Sequence, residues 1–284
     1  MKNLTNILFA SALSVVLFAC DKSDPAANSI TLHFNNTFKD KTIILGDDKS
    51  TTASINTSAA GQTHQFTELK YVISNIRVVK TDGQEVPYNI NDLDKGATVI
   101  DQSKAATLDY LLSNIPSGEY KQLKFGLGVK QELNTLDEER FPKFYTTAGA
   151  NDTKMMWEWG TGYRFTKIEG FYGMDKQKLS IHTGSTLDGK RDDPSTYIPG
   201  VNAYREIILS LPTSVTVGKD APTIVIKADF DKLLSGKTNT IELGADNATP
   251  SIHTADGMVQ FVDNLGGNGK NDVTGIFSID SVKK

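Results

Sequence analysis

The stretch FTELKYVISNIRVVKTDG, from Phe66 to Gly83, decides the fold class. It is rich in aromatic and β-branched residues, which fit a pleated, half-buried surface. It ends at Asp82-Gly83, a strong hairpin signal, because the favoured two-residue turn needs positive φ at its centre. Segments of the same kind lie on either side. In SITLHFN (Ser29 to Asn35), Ile30, Leu32 and Phe34 share one face, while Thr31 and His33 share the other. That period of two belongs to a strand. SGEYKQLKFGLGV (Ser117 to Val129) offers Tyr120, Leu123, Phe125 and Leu127 as core candidates. YREIILSLP (Tyr204 to Pro212), PTIVIKADF (Pro222 to Phe230) and VTGIFSIDSV (Val273 to Val282) read as further strands, the last tying the C-terminus into a sheet. Turn residues recur roughly every ten positions, which predicts an all-β fold, an antiparallel β-sandwich with long loops and a few short helices. The helices are expected in AATLDYLLSN (Ala105 to Asn114) and DFDKLLSG (Asp229 to Gly236). Residues 46–63 and 184–200 are rich in Gly, Ser, Thr and Asp and read as long surface loops.

The N-terminus gives an address. Lys2 precedes an apolar run from Ile7 to Phe18, too short to span a bilayer, and LFAC ends at Cys20. Residues 1–19 read as a signal peptide and Cys20 as a lipidation site. Residues 20–28 are a polar tether, and 29–284 a single domain. Cys20 is the only cysteine, so the mature chain has no disulfide and no thiolate metal site. The expected place is the cell envelope, periplasmic or outer-membrane, with the membrane as a partner through the lipid. A net charge of −4, with interspersed lysines and acids, argues against nucleic acid.

Enzyme signatures fail. There is no H-E-x-x-H, G-x-S-x-G or Walker loop, and no cysteine nucleophile. Asp47-Asp48, Asp137-Glu138-Glu139 and Asp192-Asp193 sit beside turn residues or lysines and read as solvated loops. DNLGGNGKND (Asp263 to Asp272) has the composition of a calcium loop without its spacing. The expected activity is binding, without catalysis.

The metal-capable residues are four histidines, His33, His64, His182 and His253. Neutral imidazole suits copper(II) or zinc. His182 lies in LSIHTGST, where a strand meets a glycine and the side chain could stand at a sheet rim. Both tryptophans fall in MMWEWGTGYRF (Met155 to Phe165). As one strand, Met155, Trp157, Trp159, Tyr163 and Phe165 would share a face, either as core or with an indole lining a site at the strand's end.

Several of these segments together resemble the MbnP-like copper-binding family: ITLHFNNTF, LKYVISNIRVVKTDG, IPSGEYKQLKFGLGVKQELN, MMWEWGTGYRFTKIEG, IHTGS and FVDNL, in order from Ile30 to Val282. The resemblance implies an extracytoplasmic β-sandwich binding copper, as Cu(I) or Cu(II), through histidines. It also implies a tryptophan oxidised to kynurenine by a dihaem, MauG-like peroxidase partner. Carried onto this sequence, His182 is the ligand from the His-x-Gly segment, and Trp157 or Trp159 is the modifiable residue. Some relatives place a histidine two residues after the modified tryptophan; here Trp159 or Thr161 stands at that spacing. A second ligand would therefore come from His33, His64 or His253, or from the soft thioether of Met155 or Met156. The rival expectation is a metal-free cell-surface binding module on the same sandwich.

Overall fold

The computed structural model describes residues 28–148, 155–157, 162–249, 255–267 and 275–284. The chain opens with β1 (Ser29–Phe38), short β2 (Lys41–Thr42) and β3 (Asn56–Thr57), and then β4 (Thr63–Lys80), which contains the opening stretch. The Asp82-Gly83 turn, with Gly83 at φ 94°, returns it into β5 (Glu85–Tyr88) as its sequence requires. There follow α1 (Leu93–Gly96), β6 (Thr98–Asp101), β7 (Asp109–Ser113), β8 (Gly118–Leu127) and α2 (Pro142–Ala148). The second half holds β9 (Thr166–Tyr172), β10 (Gln177–Thr183), β11 (Leu187–Lys190), β12 (Asp193–Pro199), β13 (Arg205–Val217) and β14 (Thr223–Asp229). It ends with α3 (Asp231–Leu234), α4 (Ala255–Gly266) and β15 (Phe277–Lys283). Among the described residues no helix is long and apolar enough to cross a membrane.

These strands form an all-β sandwich. One sheet runs β15-β14-β1-β2, with β7 also on β1; the other runs β10-β9-β4-β8-β13, with β3, β5 and β6 on β4. All pairings are antiparallel except that of β1 with β14. The expected core residues meet between the sheets. Ile30, Leu32 and Phe34 face Leu123, Phe125 and Leu127, and the rings of Phe34, Phe125, Tyr71 and Phe277 pack edge to face. Each such buried ring contributes on the order of 1.5–3 kcal/mol.

Strand parity on β4 serves two cores at once. Tyr71 and Ile73 point into the sandwich, while Val72 between them joins a second cluster on the outer face. That cluster gathers Leu93, Val99, Phe144, Met155, Met156, Trp157, Tyr163 and Phe165, together with Met258 and Val262 of α4. Gly128, at φ 94°, is required here: a Cβ would sit 2.2 Å from the Phe165 ring.

Three expectations are corrected. AATLDYLLSN is not a helix: after one short turn at Ala105–Thr107 it becomes β7, whose Leu112 is buried while Leu111 is exposed. Pairing with β1 decides the conformation of a leucine pattern too short to fix its own period. The segment 184–200 is no irregular loop, because β11 and β12 form a two-stranded ribbon within it. The tryptophan stretch is not one strand. Met156 bridges antiparallel to Tyr163, Trp157 N–H donates to the Gly162 carbonyl (3.0 Å) and Arg164 N–H to that of Met155 (2.8 Å). The chain folds back on itself, so Met155, Met156, Trp157, Tyr163, Arg164 and Phe165 are all buried without regard to parity.

Candidate metal site

His182 is the penultimate residue of β10. Leu179 and Ile181 face the core between the sheets, so Ser180 and His182 face outward. Beyond β10 the chain is pinned: Phe165 N–H donates to the Thr183 carbonyl (2.6 Å), and the Thr166 and Thr183 hydroxyls are 2.8 Å apart. Gly184 follows, and the fold-back of 155–165 lies against it. A Cβ on Gly184 would stand 2.8 Å from the Tyr163 carbonyl oxygen and 3.1 Å from Trp157 Nε1. Glycine in the His-x-Gly segment is thus what admits the indole.

The Trp157 ring lies 5.9 Å from the His182 ring, centroid to centroid, at an interplanar angle of 59°. Trp157 is 7% exposed, and its Nε1–H finds no acceptor among the described residues. An unpaired buried N–H costs about 1–3 kcal/mol. The Arg164 guanidinium sits 4.5 Å from the centre of the same indole, a cation–π contact.

Cross-strand register supplies the electrostatics. Residues His182, Lys167, Lys70 and Asp101 form one row over β10, β9, β4 and β6; Ser180, Glu169 and Glu68 form the next. Glu68 and Lys70 share the outer face by ordinary alternation, and a β-bulge between Phe66 and Glu68 is what lets Phe66 face the core although it has the same parity. Glu68 bridges Lys70 (2.7 Å) and Lys167 (2.6 Å), and Lys70 also reaches Asp101 (3.6 Å). Glu169 Oε1 contacts His182 Nε2 (2.9 Å) and Lys167 Nζ (3.7 Å). The hydrogen bond to His182 holds the Glu169 carboxyl below its ordinary range against the opposing effect of burial, with Lys167 assisting.

The structure does not bring His33 or His64 to His182. His33 faces outward on the other sheet, its Nδ1 2.8 Å from Asp109 Oδ1. His64 is 1% exposed and stacks on Phe38 in the core between the sheets. It pairs with Tyr172, five positions along β9 from the partner of His182. At ~3.3 Å per residue that is about 16 Å along the strand, on the opposite face. A shared ion about 2 Å from each nitrogen is therefore ruled out for His182 with His64. Met155 and Met156 are buried in the outer cluster. Cys20, Trp159 and His253 lie outside the described residues, as do residues 268–272, the second half of the calcium-like stretch. Among the described residues no group of three or more His, Cys, Asp or Glu is arranged to hold a metal ion.

What the histidine inventory alone missed is the shell: Glu169, Lys167, Glu68, Lys70, Arg164 and Gly184. The charged pairs Glu68/Lys70 and Lys167/Glu169 were visible as same-parity positions on two strands, but their juxtaposition depends on register.

The MbnP family model matches residues 27–254. Among solved structures, MbnP from Methylosinus trichosporium is similar in fold, with a TM-score of 0.58 at 15% identity, covering 89% of this chain and 97% of that one. No curated protein matches. The family model spans most of the sequence, the sandwich is of the same fold, and the chain belongs to the MbnP family.

Proposed function

We propose that this protein is a lipid-anchored, extracytoplasmic copper-binding protein that captures or passes on copper and does not catalyse a reaction. The observation carrying the reading is His182 beside Trp157, with the indole N–H buried against Gly184 and without an acceptor among the described residues. These residues fit a metal held by the His182 imidazole together with a group derived from the indole, and neither His33 nor His64 stands near enough to join them. Copper bound there would be a borderline-to-soft cation for which imidazole is a suitable donor.

Intact indole offers only a donor N–H. Oxidation of Trp157 or Trp159 to kynurenine would replace it with an aromatic amine and a carbonyl, both able to approach a metal. A dihaem peroxidase of the MauG type is the proposed partner for that step, and Cys20 the proposed anchor.

The test is direct. Equilibrate the mature chain, expressed with and without such a peroxidase, with Cu(I) and with Cu(II), and measure bound metal in wild type and His182→Ala. Stoichiometric copper lost in the variant is the expected result. No copper in either oxidation state, with the 155–165 peptide verified as modified by mass spectrometry, refutes the reading and favours the metal-free binding module.

A further inference from the structure

We propose that Glu169 is a positioning residue that fixes the side-chain proton of His182 on Nε2, leaving Nδ1 as the lone-pair donor of the site. The inference rests on the copper reading for what Nδ1 donates to; the tautomer itself is a property of the metal-free chain.

The geometry is specific. Glu169 Oε1 lies 2.9 Å from His182 Nε2. An ionised carboxylate only accepts hydrogen bonds, so this contact requires a proton on Nε2. The Ser180 hydroxyl, 3.3 Å from the same nitrogen, can rotate to suit either form and does not decide the tautomer. Nδ1 has no hydrogen-bond partner among the described residues. Histidine ligands in metal sites characteristically donate their second ring N–H to a carboxylate or carbonyl, which sets both tautomer and orientation.

The surroundings keep the carboxylate in its accepting form. Lys167 Nζ is 3.7 Å from the same Glu169 oxygen and is itself fixed by Glu68, 2.6 Å away. Glu68 is shared with Lys70, which Asp101 approaches on its far side. The lysines are nearly buried and held by strand register, so Glu169 cannot turn away without taking from Lys167 one of its two carboxylate contacts. Sheet register, through Glu169, sets which nitrogen of His182 faces the ligand.

The experiment uses the full mature chain without metal, labelled with ¹⁵N at histidine, in long-range ¹H–¹⁵N correlation spectra near pH 8. His182→Ala assigns the signal. Wild type should show a protonated Nε2 and an unprotonated Nδ1. Glu169→Gln, whose amide can accept or donate, should populate both tautomers, and Glu169→Asp should restore the single one. The unperturbed signals of the remaining histidines verify that each variant is folded. In Cu(I) titrations, Glu169→Gln should bind roughly 10–100-fold more weakly, the usual cost of losing such a partner. A wild-type proton on Nδ1, or a Glu169→Gln spectrum identical to wild type, overturns the inference even in a chain that binds copper. A chain with the Nε2–H tautomer that takes up no metal overturns the copper reading, and with it the ligand role of Nδ1.

Discussion

Acid should destabilise this protein through His64, about 16 Å along the strands from the candidate site at His182. The imidazole is buried in the core, and neither ring nitrogen has a hydrogen-bond partner among the described residues. Burial alone lowers its pKa from 6.5 to about 4. Above pH 6.5 the ring is neutral in both native and unfolded chains and costs nothing electrostatically. As pH falls below that, the unfolded chain takes up a proton that the native state refuses until about pH 4, and stability drops across that window. Between pH 7 and pH 5 the unfolded histidine gains most of a proton; at ~1.36 kcal/mol per pKa unit the loss is about 2 kcal/mol. With a urea slope of ~2 kcal/mol/M, the midpoint should fall by roughly 1 M. The assay is urea unfolding, followed by tryptophan fluorescence, of wild type and His64→Leu at both pH values. Leucine preserves volume and cannot titrate, so the difference between the two pH-dependences isolates this group. His64→Leu should also be no less stable at pH 7, since it removes two unpaired buried nitrogens. If both proteins lose the same stability from pH 7 to pH 5, the reasoning fails.

Other perturbations test the site and its support. Gly184→Ala should push Trp157 off its seat at a cost of about 1–3 kcal/mol, as overpacking does; an unchanged fluorescence maximum and melting temperature would contradict the close approach. Phe165→Ala should cost about 3–5 kcal/mol by opening a cavity against Gly128, read from denaturant unfolding. The Glu169 carboxyl is held low in the native state, so its contribution is complete at neutral pH and fades as pH falls below its ordinary value of 4.5. Wild type and Glu169→Gln should therefore differ in melting temperature at pH 6 and draw together as the pH is lowered below 4.5, and a gap independent of pH would exclude this linkage. Bulge removal by deleting Thr67 should turn His64 and Phe66 out of the core or Glu68 into it, abolishing cooperative unfolding.

Much of the scaffold could be read residue by residue. Alternation in SITLHFN, the Asp-Gly turn and the strand at the C-terminus all appear where expected, because period-two burial and turn chemistry act within a few residues. Helix α4 is written in local pattern too: Met258, Phe261, Val262 and Leu265 follow i, i+3, i+4, i+7. Ala105 to Asn114 could not be read correctly, since a leucine triplet satisfies both periods and only β1, distant in sequence, selects the strand.

The candidate site divides along the same line. From the sequence alone came the sandwich class, the family resemblance, and His182 and the tryptophan pair as the residues of interest, since these depend on local pattern and residue chemistry. Tertiary structure alone decided that His182 meets Trp157, that His33 and His64 stand on other faces, and that the Glu169 carboxylate lies 2.9 Å from the imidazole. Those facts depend on strand register, on one bulge at Phe66/Glu68 and on a fold-back at Gly162. A one-residue slip in any of them would send the same side chains to the opposite face.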